Sequence, residues 1–199
     1  MTPKQIVERQ KLKPIKTVTT IVMFVDIVDY TTITNLLNRE SFTILHDVFD
    51  EVMELAVEKF GGRIVKKIGD AFMLEFETGP DAINCALFLH KSFREHNKNF
   101  PNIPINIRIG INKGPAIVRN GDLFGTSVNI ASRLESMGSA GDILFSDGIK
   151  NILSEGFYFE SLGERSIKGL DYKINVYRIA TSCNVEKQML LSDIGKNLA

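Results

Sequence analysis

The sequence predicts an α+β fold. Its centre is a ferredoxin-like β-α-β-β-α-β core, an antiparallel sheet covered by helices on one face, with additional strands and helices toward the C-terminus. Three observations carry this. Ile21–Val25 is a wholly apolar run inside a β-rich stretch. Ile105–Asn112 alternates cleanly, with Ile105, Ile107, Ile109 and Ile111 on one face and Asn106, Arg108, Gly110 and Asn112 on the other. Two long helical patterns enclose a tight hairpin.

Residues 1–16 are polar, with Pro3 and Pro14, and read as a lead-in; residues 17–181 form one domain and 182–199 a C-terminal tail that forms a docking or fraying helix. Val18–Val25 reads as a buried central strand. In Glu40–Phe60, the residues Phe42, Leu45, Phe49, Val52, Met53, Ala56 and Phe60 share a helical face, and Gly61-Gly62 stops the helix. Arg63–Ile68 and Ala71–Glu77 read as strands joined at Gly69-Asp70. Pro80 suits the first turn of a second helix, with Ala82, Ile83, Ala86, Leu87, His90 and Phe93 inward. After Ile105–Asn112 come a short strand, a turn at Asn120-Gly121 and a helix from about Thr126 to Met137. Late strands fall near Ile143–Phe145, Phe157–Leu162 and Asn175–Ile179.

Composition excludes several function classes. Of 199 residues, 24 are Lys or Arg and 24 are Asp or Glu, so the net charge is zero and a basic nucleic-acid footprint is absent. The apolar runs are strand-sized, so direct membrane insertion is not expected. The N-terminus lacks an apolar signal region. The two cysteines, Cys85 and Cys183, form no CxxC pair and read as reduced thiols in a cytoplasmic protein. The glycine patterns of dinucleotide-binding, P-loop and serine-hydrolase motifs do not occur. His46, His90 and His96 show no metal-type pairing.

The candidate chemistry lies in a few polar positions. Asp26 follows VMFV, and Asp70 sits in the hairpin turn. The predicted strand order would bring the two carboxylates together, as hard divalent cations beside phosphates require. Taken singly, Asp26 reads better as a helix N-cap and Asp70 as a turn residue, and only together do they make the metal reading competitive. The segment Val28, Asp29, Tyr30, Thr31 begins a helix whose free N–H groups could cradle a triphosphate, with the Asp29 carboxylate turned away. Asn129 and Arg133 are four apart, so they share a helical face opposite Val128, Ala131 and Leu134. That face suits a phosphoryl group gaining charge, or simply solvent. Lys66 shares a strand face with Ile64 and Ile68 and needs water or a polar partner. Arg108 and Lys168 could each reach phosphate or solvent.

Four blocks, FVDIVDYT at 24–31, KKIGDAFM at 66–73, GDLFGTSVNIASRLE at 121–135 and IKG at 167–169, together resemble the class III adenylyl and guanylyl cyclase catalytic domains. The resemblance runs from about Thr17 to Ala180. It implies that Asp26, Asp70 and the Ile27 carbonyl hold two divalent cations, Mg2+ or Mn2+. It implies that Asn129 and Arg133 stabilise the transition state, and that Arg108 and Lys168 bind phosphates. Lys66 and Asp122 fall where the family reads the base; guanylyl members look to have a glutamate and usually a cysteine there. A lysine and an aspartate suit adenine, so the resemblance implies an adenylyl cyclase acting on ATP by in-line attack of the ribose 3′-hydroxyl on the α-phosphate. The alternatives are a guanylyl cyclase and a catalytically silent regulatory domain. The family's sites form between two chains, and this chain carries both halves, which implies a homodimer with two composite sites. Gly114–Asp122 is shorter than in animal members, where it forms an arm gripping the dimer. Such domains often follow a sensor, which residues 1–16 are too short to provide.

Overall fold

A computed structural model describes residues 2–11, 15–153 and 156–180. The expected tail helix lies outside the described residues.

The central strand, β1 (Lys16–Ile27), begins two residues before the expected run and reaches past Asp26. It pairs antiparallel with β3 (Ala71–Phe76) on one side and β4 (Ile107–Arg119) on the other. With β2 (Arg63–Ile68) beside β3, the order β2-β3-β1-β4 is the ferredoxin-like arrangement. Beyond β4 the sheet continues through β6 (Ile143–Ser146), which is parallel to β4, then β8 (Lys173–Ile179) and β7 (Phe159–Ser166); β5 (Asp122–Phe124) folds back on β4. The strand expected at Ile105–Asn112 and the short one after it are one 13-residue strand starting at Ile107.

The two helices of the ferredoxin-like core lie on one face, as expected, and a later helix covers the other. The long helices α3 (Arg39–Lys59) and α4 (Gly79–Asn99) cover one face, over a core of Ile21, Met23, Val25, Leu74 and the four alternating isoleucines. The helix α5 (Thr126–Met137) covers the opposite face, over Val22, Phe24, Met73 and Leu123. Each large side chain buried in these layers contributes about 1.5–3 kcal/mol. Gly110 makes the second layer close: a Cβ there would stand 2.3 Å from the Ala131 carbonyl oxygen and 2.1 Å from the Glu135 nitrogen.

Smaller corrections have local causes. Residues 3–11 of the lead-in form a helix, α1 (Pro3–Lys11). Phe42 is 39% exposed and lies against His46, the two rings tilted at 52°, instead of entering the core. On α4, Cys85 and Leu89 are buried, while Leu87 and His90 are half-buried. Asn38 and Thr78 cap α3 and α4 through their side chains.

Candidate active site

Three polar side chains meet at one end of the central strands because of register. Asp26 lies opposite Ala71 on one side and Arg108 on the other, and Asp70 immediately precedes Ala71. Asp26, Ile27, Asp29, Tyr30, Thr31, Thr32, Asp70 and Arg108 line one cleft of about 480 Å³. Arg108 donates to Asp26 Oδ2 from Nη2 at 2.6 Å and from Nε at 3.1 Å. Asp70 holds its proton more tightly than an ordinary aspartate. Partial burial is the main cause and the Asp26 charge adds to it, against its own backbone hydrogen bond and Arg108.

The helix after Asp26 is α2 (Tyr30–Leu36). Asp29 turns the chain into it from a left-handed conformation, φ 57°, with its side chain exposed and capping nothing. The Val28 amide is committed, donating to the Asn106 carbonyl at 2.7 Å. Of the segment expected to cradle phosphate, Tyr30 and Thr31 lie in the first helical turn, where amides have no partner within the helix. The Tyr30 hydroxyl lies 2.8 Å from His46 Nε2.

A second cluster sits on the α5 side of the sheet. Lys66 donates to Asp122 Oδ2 at 2.7 Å, and its ammonium lies 5.4 Å from the centre of the Phe124 ring. Lys66 does not share a face with Ile64, as its spacing suggested. A β-bulge at Val65 shifts the register, so Ile64 opposes Leu74 and Lys66 opposes Met73, on the other face. Burial alone would raise the Asp122 carboxyl, but the Lys66 hydrogen bond, the Leu123 amide and the Lys66 charge hold it below the ordinary range. Asn129 and Arg133 are exposed along the outer face of α5, and Lys168 is exposed between β7 and β8.

The structure thus gathers Asp26, Ile27, Asp29, Tyr30, Thr31, Asp70 and Arg108 in one cleft, and pairs Lys66 with Asp122 elsewhere. Asn129, Arg133 and Lys168 are not among the residues lining that cleft. Sequence reasoning missed Glu135, which is buried 2.5 Å from Arg108 Nε, and the His46 contact to Tyr30. Glu135 carried a readable signal: it is four residues after Ala131, so it is an acid on the apolar face of its helix.

The sequence model described as "Adenylate and Guanylate cyclase catalytic domain" matches residues 11–181. The chain belongs to this family. It is a nucleotide cyclase catalytic domain of the class III type. The adenylyl cyclase CyaB of P. aeruginosa superposes with a TM-score of 0.78 at 26% identity, over 85% of this chain and 97% of that one. An adenylate cyclase of Streptomyces coelicolor is 34% identical over 114 residues, covering 57% of this chain and 29% of that protein. The receptor-type guanylate cyclase gcy-4 of Caenorhabditis elegans is 30% identical over 194 residues, covering 85% of this chain and 17% of that protein. The matched segments thus span less than a third of the length of these two relatives. Both nucleotide specificities occur at similar distance from this chain. No helix among the described residues is long and apolar enough to cross a membrane.

Proposed function

We propose that this domain is an adenylyl cyclase, converting ATP to 3′,5′-cyclic AMP and pyrophosphate at composite sites formed by two copies of the chain. The observation that carries the specificity is the Lys66–Asp122 pair at 2.7 Å. It offers a cationic donor and a carboxylate acceptor side by side. Adenine presents an acceptor at N1 and a donor at N6, which such a pair can satisfy. Guanine presents the reverse pattern and would leave polar groups unpaired.

The cleft residues fit the divalent cations that the family implies. Asp26 and Asp70 bring hard carboxylate oxygens into the cleft beside Arg108, whose guanidinium Glu135 also contacts from the α5 side. Among the described residues no group of three acidic, His or Cys side chains forms a ligand set alone. Asp26 and Asp70, with the Ile27 carbonyl, would hold two Mg2+ or Mn2+ together with substrate oxygens. When bound, the cations would make the ribose 3′-hydroxyl more acidic and neutralise phosphate charge.

The remaining roles belong to the chain's own groups. Arg108, Lys168 and the amides of Tyr30 and Thr31 hold the leaving pyrophosphate. Arg133 and Asn129 face the α-phosphoryl, where charge grows during displacement. The homodimer reading is supported by the exposure of Asn129 and Arg133 and by the separate positions of the two clusters in one chain.

The test is product identity from ATP and from GTP with Mn2+. Cyclic AMP as the preferred product supports the reading. Preferred cyclic GMP formation would make the domain a guanylyl cyclase, and no metal-dependent turnover would make it a silent regulatory domain.

A further inference from the structure

Glu135 occupies a position where packing favours an apolar side chain. It is on the sheet-facing side of α5, and its side chain is 8% exposed. A buried carboxylate is costly unless it is paired and hydrogen-bonded. Here the compensation is partial. Oε2 accepts from Ser136 Oγ at 3.1 Å, while Oε1 lies 2.5 Å from Arg108 Nε without the alignment of a hydrogen bond. The closeness is built in: with no side chain at Gly110, α5 rests directly on β4 and sets Glu135 beside Arg108, two residues earlier on the strand.

Arg108 therefore touches two carboxylates, and both of its hydrogen bonds go to one oxygen of Asp26. A divalent cation on Asp26 would compete with Arg108 for that carboxylate. If Arg108 had no other acid, it would lose its partner as the cation arrived. Burial raises the Glu135 carboxyl, Arg108 pulls it down, and Asp26 raises it again, so the three groups form one electrostatic unit.

We propose that Glu135 is a positioning residue that takes over Arg108 when Asp26 turns to a divalent cation, keeping the guanidinium in the cleft where phosphate binds. This rests on the reading of Asp26 and Asp70 as metal residues. The handover makes cation binding easier, because Asp26 can release Arg108 without leaving it unpaired.

Mn2+ binding to the whole chain, followed by the electron paramagnetic resonance of the free ion without nucleotide, tests this. An Mn2+ site in the wild type that Asp70→Ala removes supports the metal reading, and absence of such a site overturns both proposals. With the site present, Glu135→Gln, which keeps shape and can still accept from Ser136, should weaken Mn2+ by roughly 10–100-fold, the range for residues that support a ligand. In an Arg108→Met background the same change should cost less than about threefold, because there is no guanidinium to hand over. Unchanged affinity in the first case, or an equal loss in both, overturns the role of Glu135 alone. Glu135→Asp keeps the charge and should stay within about threefold of wild type. It decides the matter if Glu135→Gln does not fold, a loss above about tenfold counting against the proposal.

Discussion

Lys66 and Asp122 lie 56 residues apart in the chain and meet as an ion pair 2.7 Å long. Two local features bring them together. The bulge at Val65 turns Lys66 toward the α5 side of the sheet, and the turn at Asn120-Gly121, with φ 52° and 79°, folds β5 back onto β4. Arg63 steadies the same turn by donating to the Gly121 carbonyl at 3.0 Å. The pair is half-exposed, so it contributes little to stability, about 0–1 kcal/mol. Its value is as a polar edge.

The double change Lys66→Glu with Asp122→Cys should therefore alter specificity while sparing the fold. A carboxylate can accept from guanine N1–H and N2–H, and a thiol can stand near O6. Each mismatched buried contact costs about 1–3 kcal/mol, so the ratio of kcat/KM for ATP to that for GTP should fall by roughly two to four orders of magnitude. The double variant is expected to be slow, so the ratio is the quantity to measure. An unchanged ratio would show that these residues do not select the base.

Asp70 gives a pH-dependent stability prediction. Burial first, and then Asp26, raise its carboxyl above the ordinary value of 3.8, so the folded protein binds this proton more tightly than the unfolded chain. The stability tied to Asp70 is then full below the ordinary value and is lost as pH rises through the raised one. Asp70→Asn cannot ionise. In chelator it should melt above the wild type at pH 7, with the gap closing as pH falls below the ordinary value. Turnover should be lost throughout, as for Asp26→Ala. A Tm at pH 7 below that of the wild type would contradict the electrostatic account.

Gly110→Ala tests the contact between α5 and β4. The new methyl would meet helix backbone, which cannot turn aside as a flexible side chain does. A loss of about 3 kcal/mol in urea unfolding is expected, the upper part of the overpacking range. Wild-type stability would mean that α5 is less tightly seated than Gly110 implies.

The alternation at Ile105–Ile111 and the hairpin at Gly69-Asp70 were legible because strand period and turn chemistry are local. The extent of α5 was legible too, from Thr126 to Met137. What escaped was not local. One inserted residue at Val65 reverses which face Lys66 takes, and VKK carries no mark of it. The side on which α5 packs depends on a crossover, and helical periodicity says which stripe is apolar but not which face of the sheet it covers. Within the candidate site, the meeting of Asp26 and Asp70 followed from strand order and Arg108 entered only through the family resemblance, whereas Glu135 required knowing that α5 lies on Gly110.

Arg133 is exposed on α5, so its loss should leave stability within about 0.5 kcal/mol. If it meets the α-phosphoryl as charge develops, Arg133→Ala should lower kcat by about 10²–10³ while KM changes less. Steady-state kinetics with ATP separate the cases. A rise in KM alone would make Arg133 a ground-state binder.

The two clusters make complementation the decisive test of composite sites. Asp26 belongs to the cleft with Asp70 and Arg108, and Arg133 belongs to the outer face of α5. If each active site takes the cleft of one chain and the α5 face of the other, Asp26→Ala and Arg133→Ala damage different halves. In a mixed dimer, one site then receives both defects and the other receives neither. Random mixing at equal concentration makes about half the dimers mixed, each with one intact site of two, so roughly a quarter of wild-type activity should return if the sites act independently. Each variant alone must be nearly silent, and subunit exchange must be confirmed separately, for example by energy transfer between labelled chains. Recovery that grows with exchange supports sites shared between chains. Full exchange without recovery would place each site within one chain and remove the reason for a functional dimer.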